Sequence, residues 1–133
     1  MENLVSIILA AGESKRFKSA KSKIFHEVAD KSLIAFVYST AKKISPKNII
    51  IVCNKKNINQ ISNNFTQAKT VLQNKPKGTA DAVLCTKKEL PKNKDVLILF
   101  GDVPLIEYSS IQRLIKTYNS SNSIGCILIF KTK

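Results

Sequence analysis

Residues 95–105 read DVLILFGDVPL. Five apolar residues follow Asp95 without a break, and Gly101, Asp102 and a Pro104-bearing turn then end the run at once. An unbroken apolar run bounded by turn residues marks a strand buried on both faces, not one that alternates between core and water. The same pattern recurs on either side of it. VSIILA (5–10) is ended by Gly12, and NIIIVC (48–53), the brief TVLQ (70–73) and IGCILIF (124–130) read as further strands. Between these runs the apolar spacing becomes helical. Ile34, Val37, Tyr38, Ala41 and Ile44 recur with Pro46 just past the end; Ile58, Ile61 and Phe65 suggest a shorter helix; Ile111, Leu114, Ile115 and Tyr118 mark another. One more helix opens at Gly78-Thr79, with Thr79 as its N-cap, and runs to Leu90 before Pro91 stops it.

Strand and helix therefore alternate from β to β through the whole chain. Continuous apolar strands joined by amphipathic helices imply a mostly parallel sheet covered on both faces, a Rossmann-like three-layer α/β/α architecture. The 133 residues suffice for one domain, and no repeat, linker or low-complexity tract divides residues 1–133. With 44% apolar residues a packed core is expected, and no apolar run approaches the ~20 residues that span a bilayer. Glu2 stands where a signal peptide is basic, and Cys53, Cys85 and Cys126 lie far apart with no CxxC pair. A zinc site and a disulfide framework are both disfavoured, and the cytoplasm is the expected compartment. The net charge of +13 comes from 20 lysines and two arginines, Arg16 and Arg113. Such a charge favours anionic partners, and a basic nucleic-acid-binding module is one reading of it. The lysines are spread along the whole length, however, without any recognition-helix, RRM or zinc-finger signature. A general Lys/Ile/Asn bias accounts for most of them, so neither nucleic acid nor membrane is the expected partner.

In open parallel sheets, ligands sit beyond the carboxyl ends of the strands, near a switch in strand order. Three polar stretches follow strand ends directly: residues 12–23, 73–79 and 101–104. All three are expected on one rim. In the first, Gly12 lets the backbone turn N–H groups toward an anion, Arg16 offers a planar fork for phosphate and Lys23 a point charge. It is neither GxxxxGK[ST] nor GxGxxG, and a solvated basic loop is the competing reading. In the second, Gln73 can read a base edge with its paired donor and acceptor, and Gly78 lets backbone approach a flat ring; a surface loop with a helix cap competes. In the third, Asp102 is planted just after a buried strand. It would suit Mg²⁺, which takes one or two protein carboxylates along with phosphate oxygens and waters; an Asp in a turn competes. His26, the one histidine, reads as structural, Cys53 as packing, and Asp81 as a carboxylate favoured by the first turn of its helix.

LAAG-x-x-x-R-F followed by K-x-x-x-H resembles the opening signature of the sugar nucleotidyltransferases. VLQ…GTADAV and LFGDVPLI, in register with it, narrow the resemblance. Together the three motifs look like the N-terminal uridylyltransferase domain of the bifunctional UDP-N-acetylglucosamine pyrophosphorylase / glucosamine-1-phosphate acetyltransferases, over nearly all of the chain. The resemblance implies the nucleotide-diphospho-sugar transferase fold, N-terminal part only. It implies UMP transfer from UTP to N-acetylglucosamine-1-phosphate, giving pyrophosphate and UDP-N-acetylglucosamine, a cell-envelope precursor. It further implies that backbone at Leu9, Ala10 and Gly12 contacts the nucleotide, that Arg16 and Lys23 hold the triphosphate, that Gln73 and Gly78 read uracil with Thr79 close by, and that Asp102 is a ligand of a catalytic Mg²⁺. A cytidylyl- or guanylyltransferase of the same fold is the alternative within the class. Ser14 and Glu13 depart from the family loop, where glycine and lysine are common, and Phe100 replaces a frequent tyrosine. The family domain runs about a hundred residues further in the resemblance, and its β-helix acetyltransferase domain has no counterpart in these residues. The chain is accordingly expected to be a C-terminally incomplete domain.

Overall fold

The computed structural model describes residues 3–12, 22–75 and 77–129. The chain enters on β1 (Leu4–Leu9), which lies at the interior of a four-stranded parallel sheet. A 3₁₀ turn, Lys23–Phe25, buries Ile24 and Phe25 and leads into a small hairpin of β2 (Glu27–Val28) and β3 (Lys31–Ser32). Ala29 and Asp30 close that hairpin with φ of 50° and 58°. Two successive left-handed residues are what a two-residue type I′ turn needs. Then follow α1 (Leu33–Ile44), β4 (Ile49–Cys53), α2 (Ile58–Asn64), β5 (Lys69–Leu72), α3 (Thr79–Cys85), β6 (Asp95–Phe100) and α4 (Tyr108–Ser120).

The sheet order is β5-β4-β1-β6, every pair parallel. The chain steps outward from β1 to β4 and β5, then returns to the other side of β1 as β6. The strand order thus reverses at β1, and the carboxyl ends of β1 and β6 form the crevice where such sheets hold ligands. The alternating side chains of β1 build two cores. Ile8 and Ala10 join Ile34, Val37, Ala41 and Ile44 of α1, Ile61 of α2 and Ile111 of α4 in the larger one. Ile7 and Ala11 face Val52 and Ala82, with Val83 and Leu90 packed alongside, in the smaller one. Helices on both faces confirm the α/β layering expected from the sequence. No helix among the described residues is long and apolar enough to cross a membrane.

The structure corrects several expectations. Of residues 124–130, read as a last strand, 124–129 form none and Phe130 lies outside the described residues: Ile124, Ile127 and Ile129 are 83% exposed or more. Strand propensity reports a side chain's fit to a pleated, half-buried surface, and among the described residues no neighbouring strand supplies that surface. β6 was expected to be covered on both faces, but it is the sheet's edge. Leu97 and Leu99 enter the larger core while Val96, Ile98 and Phe100 stay 39–49% exposed; in the smaller core Ala82 of α3 packs with Ile7 of β1 and Val52 of β4, and no β6 residue takes part. Thr79 is not the N-cap of α3. Gly78 is, with φ 102° and ψ 179°, a conformation that glycine alone adopts without strain. Nor does α3 reach Leu90. The Thr86 N–H and hydroxyl both donate to the Val83 carbonyl (3.0 and 2.7 Å), and this three-residue spacing tightens the turn and ends the helix at Cys85.

Candidate active site

The backbone that leaves β1 is held from two sides. The Gly101 N–H donates to the Leu9 carbonyl at 2.9 Å, and a Cβ at position 101 would lie 3.0 Å from that same oxygen. Any larger residue there would need the Leu9 carbonyl to give by a few tenths of an ångström. On the other side, the Ala10 N–H donates to the Val52 carbonyl. Asn57 Nδ2 donates to the Ala10 carbonyl at 2.8 Å, and Asn54 Nδ2 to the Ala11 carbonyl at 3.1 Å. The two asparagines brace each other: each backbone N–H donates to the other's side-chain oxygen, at 2.9 and 3.1 Å. Asn57 is 1% exposed. Neither was singled out in the sequence, although an N-x-x-N directly after a strand end is a readable sign of side chains replacing secondary structure as backbone partners. Gly12, by contrast, is exposed, and no described residue lies within 4 Å of where a Cβ would sit.

Asp102 follows Gly101 at the crevice. Its Oδ2 accepts a hydrogen bond from Lys23 Nζ at 2.9 Å, an ion pair between residues 79 apart in sequence. Lys23 is delivered there by the 3₁₀ turn, whose Ile24 and Phe25 anchor it in the larger core. Both side chains are about 40% exposed, so the pair stands at the surface of the crevice, open to exchange with solutes. Asp102 presents one carboxylate. Among the described residues no three His, Cys, Asp or Glu stand together as a metal cage. One carboxylate beside a cation fits Mg²⁺ only where substrate phosphates and water supply the other ligands, which is the usual manner in which Mg²⁺ binds.

Gln73 follows β5 and is 5% exposed. Its backbone N–H donates to the Cys53 carbonyl at 2.8 Å, and its side-chain Nε2 to Asp81 Oδ2 at 2.7 Å and, at 3.4 Å, toward the Gly78 carbonyl. Gly78 and Thr79 are exposed at the start of α3. Gln73 and Asp102 are thus separated by the sheet's width from β5 to β6. Three strand spacings make that roughly 14 Å, the reach of an extended nucleotide from base to phosphates. The sequence-derived residues Leu9, Ala10, Gly12, Lys23, Gln73, Gly78, Thr79 and Asp102 all fall on this one rim; Arg16, with Glu13 and Ser14, lies outside the described residues. Cys53 is fully buried, and burial pushes its thiol up to about 12, far from a nucleophile's range. A shallow depression of about 420 Å³, lined by Gln112, Ile115, Lys116, Asn119 and Ser120, lies on α4 and includes none of the rim residues.

Residues 6–132 match the model of the MobA-like NTP transferase domain. The chain belongs to that family. As a MobA-like NTP transferase domain it is 36% identical over 121 residues to the bifunctional protein GlmU of Buchnera aphidicola subsp. Acyrthosiphon pisum, a match covering 90% of the chain and 26% of that protein. It is 41% identical over 111 residues to GlmU of Xylella fastidiosa, covering 81% of the chain and 24% of that protein. The MobA-like domain thus spans about a quarter of the length of the curated relatives it matches. Among solved structures, Rv0371c from Mycobacterium tuberculosis H37Rv superposes with a TM-score of 0.74 at 15% identity, over 87% of the chain and 60% of its own. The bifunctional IspDF from Campylobacter jejuni superposes at 0.75 and 19% identity, over 88% and 31%. Those two likenesses concern the fold. A nucleotidyltransferase is therefore what the family and the GlmU relatives make of this chain.

Proposed function

We propose that residues 1–133 lie within a uridylyltransferase domain that joins UTP to N-acetylglucosamine-1-phosphate, releasing pyrophosphate and forming UDP-N-acetylglucosamine for the cell envelope. The observation that carries this reading is the meeting of Lys23 and Asp102 at 2.9 Å in the crevice between β1 and β6. A cation suited to phosphate and a carboxylate suited to Mg²⁺ stand together where the fold places ligands. In this reading Gly12 and the backbone floor at Leu9 and Ala10 lie under the nucleotide, Arg16 and Lys23 hold its phosphates, and Gln73, Gly78 and Thr79 meet the base. The sugar-phosphate oxygen is already an anion and needs no general base. It attacks the α-phosphorus in line, the bond from that phosphorus to the bridging oxygen breaks, and pyrophosphate leaves. Positioning and charge neutralisation then supply the acceleration, in keeping with a rim that has no nucleophile or histidine among its candidates. Asp102 would hold Mg²⁺, which when bound neutralises phosphate charge and templates the oxygens.

Isothermal titration with UTP and Mg²⁺ tests the site. Asp102→Ala and Lys23→Ala are each expected to weaken binding by about tenfold or more, the loss of a charge-assisted contact. Unchanged affinity in both variants would remove the site assignment. Tighter binding of CTP or GTP than of UTP would end the uridine assignment while leaving the nucleotidyltransferase family intact.

A further inference from the structure

We infer that Asp81 is a positioning residue that sets base selectivity by locking the orientation of the Gln73 side-chain amide. The inference rests on the proposed function, in which Gln73 meets the base. A carboxamide can present either a donor or an acceptor, so a glutamine alone reads either kind of base edge. Here that freedom is removed. Asp81 Oδ2 lies 2.7 Å from Gln73 Nε2, and the Gly78 carbonyl lies 3.4 Å from the same nitrogen. A carboxylate and a carbonyl only accept, so both neighbours demand the amino side of the amide. A flipped Gln73 would set its oxygen against two other oxygens in a site where the residue is 5% exposed and water cannot separate them. Among the described residues no donor takes Oε1, so the acceptor side is what remains for a ligand.

An acceptor at that position selects bases that carry a ring N–H on their pairing edge. Uracil offers N3–H and guanine N1–H, whereas cytosine and adenine present a bare ring nitrogen there and would face Oε1 lone pair to lone pair. The cost of such a mismatch is that of a buried polar group left unpaired, enough for about tenfold or more in affinity. Asp81 also stands in the first turn of α3. A carboxylate there is favoured by the helix end whatever its neighbours. The contact to Gln73 gives it a second role that helix chemistry does not require.

The test compares UTP and CTP binding, each with Mg²⁺, to the full chain and to Asp81→Ala and Asp81→Asn. The parent is expected to prefer UTP by at least about tenfold. Asp81→Ala frees the amide to turn, and the preference is expected to fall to within about threefold, with UTP losing affinity and CTP losing none. Asp81→Asn keeps an acceptor for Nε2 and retains most of the preference. In ¹⁵N–¹H spectra of the nucleotide-free protein, the Gln73 side-chain amide is expected to be shifted and slow to exchange in the parent and in Asp81→Asn, and free in Asp81→Ala. Equal loss of both nucleotides in Asp81→Ala would show a merely structural role and overturn the inference, as would an unchanged UTP/CTP ratio. A parent that binds neither nucleotide would instead overturn the functional reading, and the role of Asp81 with it.

Discussion

A methyl group at position 101 would sit 3.0 Å from the Leu9 carbonyl oxygen, a backbone atom that cannot move aside without opening the β1–β6 ladder. Gly101→Ala is expected to cost about 1–3 kcal/mol in denaturant unfolding, as overpacking does. Gly12→Ala meets no described residue within 4 Å and should stay within about 1 kcal/mol of the parent. Two glycines on one rim are thereby told apart, although in the sequence both simply end strands. At the crevice, Lys23 already neutralises Asp102 in the nucleotide-free chain, so a divalent ion must displace it. Lys23→Met is expected to tighten Mn²⁺ binding to the nucleotide-free protein several-fold, read by electron paramagnetic resonance, while weakening UTP. Looser Mn²⁺ binding in that variant would contradict Asp102 as the metal's carboxylate. Cys53 supplies a pH handle. Burial raises its thiol to about 12 from an ordinary thiol value of 9.0, so between those values the unfolded chain releases a proton that the folded chain retains. Stability should therefore decline as pH rises above 9, by up to about 1.4 kcal/mol per pH unit from this residue, and Cys53→Ala should flatten the decline. The exposed Cys126 is expected to alkylate rapidly at pH near 8 while Cys53 stays protected until the chain unfolds.

At the scale of the element, the four sheet strands were legible as short apolar runs cut off by turn residues, and the helices by helical spacing of apolar residues or, for α3, by Gly78-Thr79 and Pro91 at its ends. The hairpin of β2 and β3 was not: two-residue strands have no period, and its turn is Ala29-Asp30 where Asn-Gly would have announced it. The opposite failure occurred at residues 124–129, whose apolar run is strand-like in isolation but finds no strand to pair with among the described residues. Periodicity reports the face a segment offers and says nothing of whether the face is met. That gives a sharp contrast between two isoleucines. Ile127 is 83% exposed, and Ile127→Asp should change stability by no more than about 0.5 kcal/mol. Ile111, on α4, is fully buried in the larger core, and Ile111→Ala should cost about 2–5 kcal/mol. If Ile127→Asp destabilised the chain as much as Ile111→Ala, residues 124–129 would be packed in solution after all.

At the scale of the whole molecule, the rim was legible because parallel α/β topology forces every strand's carboxyl end to one side, so that loops far apart in sequence had to converge. The bracing inside the rim was not legible: the Asn54–Asn57 pair, the Asp81–Gln73 contact and the meeting of Lys23 with Asp102 depend on side-chain directions that spacing does not encode. Among the described residues the same topology leaves β6 as an open edge whose exposed face carries Val96, Ile98 and Phe100, with Leu105, Ile127 and Ile129 also in water. Open edges template pairing, and exposed apolar side chains beside one favour association. A net charge of +13 opposes association at low ionic strength. In about 0.5 M salt the screening length falls to roughly 4 Å, so that repulsion fades while apolar burial does not. Sedimentation is therefore expected to show a monomer in dilute buffer that self-associates as salt is raised, the reverse of charge-driven assembly. Ile98→Lys, at a position already 42% exposed, should restore the monomer in high salt with at most about 1 kcal/mol lost. Association that instead weakens with salt, or that persists undiminished in Ile98→Lys, would move the adhesive surface away from the open face of β6.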